Sequence, residues 1–234
     1  MSAKLISLLA QTRIFGSLDA ENLAMCTDAF EEQHFTRGQP LFRRGDPGTH
    51  LYLVESGSIR LAIPAASGTR GLTFQIATAG DMFGEIAALD GELRTADATA
   101  VTDATVHCLE RVVFQAIWER RPEFALRVVA FLCGRLRQMT TQFESIALQP
   151  LDVRLARFIL SALDPHQAPI GKRIPLELGF SQGELAHLLC ASRPKVNAAM
   201  ASLERAGAMR RTLDRLFCDP QKLALIARSL ENEA

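Results

Sequence analysis

Residues 83–100 read FGEIAALDGELRTADATA, and this stretch sets the expectation for the rest of the chain. Gly84 and Glu85 open a short apolar turn, and Arg94 and Thr95 follow a DG turn signal. A buried arginine offers a forked donor that matches a phosphate, and a neighbouring hydroxyl adds another donor. N–H groups of a helical turn that begins near Glu85 would face the same anion, whereas the Glu85 carboxylate needs a hydroxyl donor such as a ribose 2′-OH. The stretch therefore predicts a sugar-phosphate site, with a surface salt bridge between Glu85 and Arg94 as the alternative.

The composition is that of an ordinary globular protein. The 234 residues are 48% hydrophobic and 22% charged, which allows one large or two small domains and excludes a disordered chain. Because no run of eighteen apolar residues exists and the N-terminus lacks the core of a cleavable signal, a cytoplasmic protein without a membrane partner is expected. The five cysteines are scattered without a C-x-x-C pair, so we expect no disulfide, iron–sulfur or metal site.

Charge is distributed unevenly along the chain. Lys and Arg together equal Asp and Glu overall, at 26 each, but residues 148–234 contain 12 basic against 9 acidic side chains. This excess favours a C-terminal domain that faces DNA.

The sequence pattern of the N-terminal half changes once, from helical spacing to short strand-like runs. Apolar spacing from Lys4 to about Phe30 predicts short helices, with Asp19 as the N-cap of the second. From Phe35 to Leu109, short alternating or apolar runs are separated by glycines, with turn signals every eight to twelve residues. This pattern is typical of an all-β barrel or sandwich.

A long helix is predicted from about Arg111 to Leu148, where only Pro122 interrupts the pattern. Such a helix can pack on its own domain or pair with a copy of itself. Because its apolar stripe is longer than the β domain needs, we expect a dimer-forming helix. The stripe recurs at steps of three and four and consists of Val128, Leu132, Leu136, Met139, Phe143 and Ile146.

Two helices joined by a short turn are predicted between Ser181 and Gly207. Ser181 and Glu184 form a capping box for the first helix, and Ser192 caps the second, which has Pro194 in its first turn. In a helix-turn-helix, the start of the second helix faces base edges and phosphates in the major groove. The polar residues there are Arg193, Lys195 and Asn197.

The segments on either side complete this C-terminal module. A helix from Val153 to Leu163 and the irregular loop DPHQAPIGKR precede it. The segment MRRTLDRLFCD after Gly207 predicts the β-hairpin wing of a winged helix, with a merely solvated hairpin as the alternative. Three wing arginines could contact the phosphate backbone, namely Arg210, Arg211 and Arg215.

Taken in order, these features resemble the bacterial CRP/FNR superfamily of transcription regulators over essentially the whole chain. The resemblance implies an α+β chain with a β-roll (jelly-roll-like) cyclic-nucleotide-binding domain over residues 1–110, a long dimerisation helix over 111–148 and a winged helix-turn-helix DNA-binding domain over 149–234. It also implies a cytoplasmic homodimer without enzymatic activity that binds a cyclic nucleotide and a near-palindromic site on double-stranded DNA, with RNA polymerase as a further partner.

The resemblance assigns roles within the stretch of residues 83–100. Glu85 matches the glutamate that binds the ribose 2′-OH, and Arg94 matches the arginine that pairs with the cyclic phosphate. Thr95 lies where a Ser or Thr reaches the same phosphate. Gly84 and Ile86 flank the ligand through their backbone.

The base-facing half of the ligand is less well specified. In the family, two hydroxyl residues on the long helix finish the pocket; one falls on Thr140 here and the other on Met139, which cannot hydrogen-bond an adenine amine. Thr141 is the next hydroxyl along the chain. A threonine at the position of Thr95 is also seen in cGMP-selective domains, so cAMP and cGMP both stay open, with cAMP favoured. Met139 also supports a nucleotide-independent alternative, in which the roll serves as a protein or metabolite interaction module.

The DNA-reading residues also follow from the resemblance. Arg193 matches the arginine that contacts guanine, a bidentate pairing worth roughly 1–3 kcal/mol of discrimination. Two other contacting positions hold Pro194 and Ala198, so a different half-site is expected. The turn glycine before Ser192 is replaced by Cys190-Ala191. The predicted DNA-binding set is Ser192, Arg193, Lys195, Asn197, Arg210 and Arg211.

Overall fold

The computed structural model describes residues 3–16, 18, 23, 26–64, 71–120, 122–163, 173–176, 182–212 and 215–228. They divide into two units, Met1–Arg137 and Gln138–Ala234. The predicted N-cap Asp19 and the capping box of Ser181 and Glu184 lie outside the described residues or side chains. In the part of the chain that is described, no helix combines the length and apolarity needed to cross a bilayer.

The first unit is a β-roll with helices at both chain ends, as predicted. Its eight strands form two four-stranded antiparallel sheets, with orders β1-β8-β3-β6 and β2-β7-β4-β5. The elements are α1 (Ala3–Gln11), β1 (Phe30–Phe35), β2 (Pro40–Phe42), β3 (His50–Ser56), β4 (Ile59–Ile63), β5 (Leu72–Ala77), β6 (Met82–Phe83), α2 (Glu85–Asp90), β7 (Asp97–Ala100), β8 (Ala104–Glu110), α3 (Arg111–Arg120) and α4 (Pro122–Leu148).

Strand alternation divides the buried side chains into two cores. One face of β3 contributes Tyr52 and Val54 to the core of the roll, together with Ile59 of the other sheet. The opposite face contributes Leu51 and Leu53 to a core shared with helices α1, α3 and α4. The β region begins earlier than the sequence indicated, because Phe30 pairs with Leu109 as the first residue of β1.

The predicted long helix is two helices, α3 and α4, which meet at Pro122. Pro122 has no N–H and a fixed φ, so it suits the first position of α4 better than the interior of one continuous helix. The predicted apolar stripe also separates into two faces. Val128 is fully buried in the core of the first unit and Leu132 packs against that core, whereas Phe143 is 73% exposed.

The exposed residues of α4 define a surface that we call the seam face. Its members recur at alternating steps of three and four, the spacing of a two-stranded coiled coil. Leu126, Leu136 and Phe143 are each about two-thirds or more exposed. The seam face consists of Leu126, Val129, Cys133, Leu136, Thr140, Phe143 and Ala147, all exposed.

The second unit contains the predicted helix-turn-helix and a three-stranded wing. The sheet has the order β10-β11-β9, and β9 was not predicted from the sequence. Pro175 of β9 pairs with Phe217, and a proline is tolerated there because β9 is an edge strand. The elements are α5 (Leu151–Ala162), β9 (Ile174–Leu176), α6 (Gln182–Leu188), α7 (Arg193–Arg205), β10 (Met209–Arg211), β11 (Leu216–Cys218) and α8 (Pro220–Arg228).

The turn between α6 and α7 holds a strained cysteine. Cys190 has a φ of 50°, the only positive φ at a non-glycine residue in the described part of the chain. Ala191 donates its N–H to Ala186 O at 2.9 Å, which is the bond that closes a helix end when the residue before the donor is left-handed. The turn therefore keeps the left-handed backbone that a glycine would adopt without strain.

Replacing Cys190 with glycine is expected to stabilise the protein by about 0.5–1 kcal/mol. The left-handed conformation costs a non-glycine residue roughly 1–2 kcal/mol, and the greater freedom of glycine in the unfolded chain offsets part of that gain. Thermal unfolding should shift upward by roughly 1–4 °C for a chain of this length. Cys190→Ala, which removes the thiol but keeps the Cβ, is the matched control, and an equal gain in that variant would show that strain is not the cause.

Candidate functional site

The cassette of residues 83–100 is built around a glycine that no other residue could replace. Gly84 lies between β6 and α2, in the N-cap position of α2, with φ 80° and ψ 11°. A Cβ at this position would lie 2.8 Å from Nη1 of Arg94, 3.2 Å from the Tyr52 ring and 3.3 Å from His50 O. Both the left-handed backbone and the close approach of the arginine therefore require glycine.

Arg94 lies almost fully buried, with 4% of its surface exposed. Its Nη1 donates to Gly84 O at 3.0 Å and its Nη2 donates to His50 O at 2.7 Å. The guanidinium carbon lies 4.2 Å from the centre of the Phe42 ring and 5.4 Å from that of Tyr52, within the range of cation–π attraction. Nε of Arg94 is buried and has no hydrogen-bond partner.

Glu85 is paired with an arginine that was not identified from the sequence. Nε of Arg135 in α4 lies 3.7 Å from Oε1 of Glu85, with side-chain exposures of 19% and 11%. Arg135 also donates through Nη1 to Oε1 of Gln75 at 2.7 Å and through Nη2 to Met82 O. Because 3.7 Å is too long for a hydrogen bond, Nε of Arg135 is another buried donor without a partner.

This arrangement excludes the surface salt bridge between Glu85 and Arg94 that was the alternative. Both residues are buried, the ion pair of Glu85 is with Arg135, and the hydrogen bonds of Arg94 go to backbone carbonyls. The two charged residues therefore form one buried polar cluster with Arg135.

Burial shifts the pKa values of Glu85 and Arg94 in opposite directions, in each case against the charged form. Desolvation raises the pKa of the Glu85 carboxyl, against the opposing positive charges of Arg135 and Arg94. Desolvation lowers the pKa of Arg94, although its guanidinium remains cationic at neutral pH. The site thus holds a net positive charge with unused donors.

The raised pKa of Glu85 gives a prediction for stability without ligand. The folded protein binds the Glu85 proton more tightly than the unfolded chain does. The free energy of unfolding therefore decreases as the pH rises from the pKa of Glu85 in the unfolded chain through its pKa in the folded protein. Glu85→Gln cannot ionise and should therefore unfold at a higher temperature than wild type at pH 7, with the difference vanishing toward pH 4. Thermal unfolding as a function of pH measures this, with exposed Glu92→Gln as control; a Glu85→Gln difference independent of pH would contradict it.

The other predicted ligand residues occupy more open positions. Thr95 is exposed and Ile86 is 44% exposed. Met139, Thr140 and Thr141 belong to the second unit and are exposed on α4. The structure therefore brings Gly84, Glu85 and Arg94 together.

The reading helix α7 begins at Arg193, directly after Ser192 in the N-cap position. Ser192 does not cap it as predicted, because its side chain makes no capping hydrogen bond. Pro194 lies at the second helical residue and has no N–H, which removes one of the donors that an N-cap side chain can accept from. Arg193 is exposed, and its Nε donates to Oε1 of Gln182 at 3.3 Å.

The remaining predicted DNA-binding side chains are also exposed. Lys195 and Asn197 point away from the buried face of α7, which is formed by Val196, Met200 and other apolar residues. On the wing, Arg211 donates its N–H to Oε1 of Glu204 at 3.1 Å and its guanidinium lies 3.6 Å from Oε2 of the same carboxylate. The exposed cations of the wing are Arg210, Arg211 and Arg215.

Comparison with known proteins finds a matching domain family in each half of the chain. Residues 32–121 match the family model of the cyclic nucleotide-binding domain, and residues 153–226 match that of the Crp-like helix-turn-helix domain. The CRP-like cAMP-activated global transcriptional regulator of Mycobacterium tuberculosis is 28% identical over 222 residues, which are 94% of this chain and 99% of that protein. The cyclic AMP receptor protein of Thermus thermophilus is 29% identical over 84% of this chain and 88% of its own length.

Solved structures agree in fold. A crp/fnr family transcriptional regulator from Eubacterium rectale superimposes with a TM-score of 0.73 at 19% identity, covering 93% of this chain and 99% of its own. The catabolite activator protein of Thermus thermophilus, 29% identical, covers 94% of this chain and 100% of its own with a TM-score of 0.53. A nucleotide-binding roll and a Crp-like reading domain thus occur in one chain, in the order that these regulators have. The chain belongs to the CRP/FNR family of transcription regulators.

Proposed function

We propose that this protein is a homodimeric regulator whose affinity for a near-palindromic DNA site is set by cAMP. The relatives named above are described as cAMP-activated or as a cyclic AMP receptor. The ligand can act only through a difference in its affinity for two arrangements of the protein. RNA polymerase is a further partner in this proposal.

One observation carries the nucleotide assignment. Nε of Arg94 and Nε of Arg135 are buried donors without hydrogen-bond partners, and Nε of Arg135 lies 3.7 Å from the Glu85 carboxylate. Leaving a buried charged donor unpaired costs free energy of about 1–3 kcal/mol or more, so such groups indicate a ligand that accepts hydrogen bonds. A cyclic phosphate accepts from the arginine, and a ribose 2′-OH donates to the carboxylate.

Thermal unfolding in the presence of nucleotide tests this function. A ligand at a hundred times its Kd stabilises the folded state by about 2.7 kcal/mol, which for a chain of this size corresponds to roughly 5–10 °C. We expect a shift of this size with cAMP and a smaller one with cGMP at equal concentration. A larger shift with cGMP would overturn the choice of base, for which the assignments of Met139, Thr140 and Thr141 stay predictions. No shift with either nucleotide would overturn the pocket.

The seam face of α4 supports the homodimer. Its apolar members are exposed in the single chain, and exposed apolar surface of this extent on one helix face marks an interaction site. The alternating spacing fits a second copy of the same helix, which would present the same residues across a two-fold axis.

For the DNA half, Arg193→Ala is expected to reduce discrimination among sequences by roughly fivefold to 150-fold, because a bidentate contact to guanine contributes roughly 1–3 kcal/mol. Binding to specific and mutated half-sites, each measured over a range of salt concentrations, checks this. Lys222→Ala, an exposed cation on α8, is the control. An equal loss on every sequence would show that Arg193 contacts only a phosphate.

A second candidate function rests on the present bonding of Arg94. Both terminal nitrogens of its guanidinium already donate to backbone carbonyls, as they would in a roll that has lost its ligand and binds a protein or metabolite instead. In that case neither nucleotide would stabilise the protein, and DNA binding would not depend on either.

A further inference from the structure

A cluster of possible metal ligands lies on the helix-covered face of the first sheet, away from the nucleotide cassette. Strands β1, β8 and β3 are neighbours in that order, and the β1–β8 register places Glu32 opposite His107. Glu55 of β3 lies at a register shift between Val54 and Ser56, and such bulges redirect a side chain. Three adjacent strands thus contribute one ligand-type side chain each.

The three side chains converge on a buried imidazole. His107 has 4% of its side chain exposed, and its Nε2 lies 2.5 Å from Oε2 of Glu55. One ligand atom from each of Glu32, Glu55 and His107 lies within 4.8 Å of the others. The exposed fraction increases outward, to 13% for Glu55 and 51% for Glu32, so the cluster is open to solvent on the Glu32 side.

The charges of the cluster favour a cation between the carboxylates. Two ionised carboxylates at this distance repel each other unless a positive charge lies between them. Lys4, 65% exposed, contacts Oε1 of Glu55, which leaves Oε2 directed toward His107.

The outer carboxylate is held in place from its own strand. Nε2 of His34 lies 3.1 Å from Oε1 of Glu32, while Nδ1 of His34 is within 3.2 Å of the Thr105 hydroxyl. Outer partners of this kind orient ligating side chains in metal sites.

We propose that Glu32, Glu55 and His107 bind a zinc-type divalent ion, with one imidazole nitrogen, two carboxylate oxygens and water as ligands. Imidazole nitrogen and carboxylate oxygen are both zinc ligands, and the imidazole favours zinc over magnesium or calcium. Ligand atoms about 2.0–2.2 Å from a tetrahedral zinc ion lie roughly 3.4 Å apart, so the three side chains need to move by little more than an ångström. The ion would join β1 to β3 across β8.

This site was not expected from the sequence, and the reason is topological. Glu55 and His107 are 52 residues apart, and neither has a cysteine or second histidine at a ligand spacing. Only the pairing of three strands brings the donors together.

Zinc titration of the full-length protein tests the proposal. The background is Cys133→Ser, because Cys133 is an exposed thiol that could bind zinc by itself. After treatment with a chelator and dialysis, calorimetry should show one zinc ion per chain. Glu32→Gln should weaken binding at least tenfold, whereas Glu31→Gln should not, since Glu31 is an exposed neighbour on the opposite face of β1.

Glu32 is half exposed, so its substitution leaves the fold intact; melting curves and nucleotide titrations verify this independently of zinc. Cobalt provides a second readout, because oxygen and nitrogen ligands give weak visible bands without thiolate charge transfer. The proposal is overturned if zinc does not bind. Equal binding by Glu32→Gln and Glu31→Gln, or a thiolate band, would also overturn it.

Discussion

Arg94→Ala is expected to weaken cAMP binding by about a hundredfold or more. A guanidinium makes two parallel hydrogen bonds to a phosphate, and hydrogen bonds to charged groups contribute roughly 1.5–3 kcal/mol each. The variant should also unfold at a lower temperature, because the carbonyls of Gly84 and His50 lose their donors. Calorimetric titration with cAMP measures the affinity, and size-exclusion chromatography verifies that the folded assembly persists.

Two further variants separate the role of the paired guanidinium donors of Arg94 from that of its positive charge and from effects on folding. Arg94→Lys keeps the positive charge but cannot form the paired hydrogen bonds, so we expect an intermediate loss of affinity. Arg44→Ala removes an exposed arginine of the same unit and should leave the affinity unchanged. If Arg94→Ala binds cAMP as tightly as wild type, the assignment of this residue to the phosphate is wrong.

The double variant Leu136→Glu with Phe143→Glu is expected to convert the proposed homodimer to monomers and abolish binding to a two-half-site operator. Burying a leucine or phenylalanine side chain contributes about 1.5–3 kcal/mol to association. Each substitution removes one apolar side chain from each of the two copies. The four introduced carboxylates would also repel one another across the two-fold axis. Sedimentation velocity over a range of concentrations measures the change.

The matched control for this experiment is a pair of substitutions elsewhere. Leu225 on α8 and Val112 on α3 are 74% and 65% exposed but lie outside both the seam face and the cassette. The variant Val112→Glu with Leu225→Glu should remain dimeric and bind the operator. If the seam variant also stays dimeric, α4 is not the dimer contact.

The fold could be predicted from the sequence wherever a local pattern carried it. Glycines between short apolar runs predicted an all-β barrel or sandwich, and capping and turn residues predicted the helix-turn-helix and its wing, because these signals act within a few residues. The same locality explains two errors. One apolar period over 111–148 suggested a single helix with a single stripe, but Pro122 breaks the helix, and Val128 packs inward while Phe143 is exposed.

The site was predictable only in its contiguous part. Gly84, Glu85 and Arg94, which the structure brings together, lie within one short stretch, so their spacing made them candidates, while the role of Thr95 stays a prediction. Arg135 lies far along the chain from Glu85 and is one arginine among several on α4, and no sequence signal distinguishes the one that reaches the carboxylate. The strand β9 was missed for a similar reason, since three residues with a central proline resemble a loop.

The aromatic ring of Tyr52 next to Arg94 offers a way to detect ligand binding by spectroscopy without an added label. Tyr52 is the only tyrosine in the chain, and the cationic carbon of Arg94 lies 5.4 Å from the centre of its ring. Turning the guanidinium from the carbonyls of Gly84 and His50 toward a phosphate would change the electric field on that ring. Ligand binding could then be followed as a difference spectrum in near-ultraviolet absorption or circular dichroism. Trp118→Phe would remove the indole background. Tyr52 is thus an intrinsic optical probe of ligand binding.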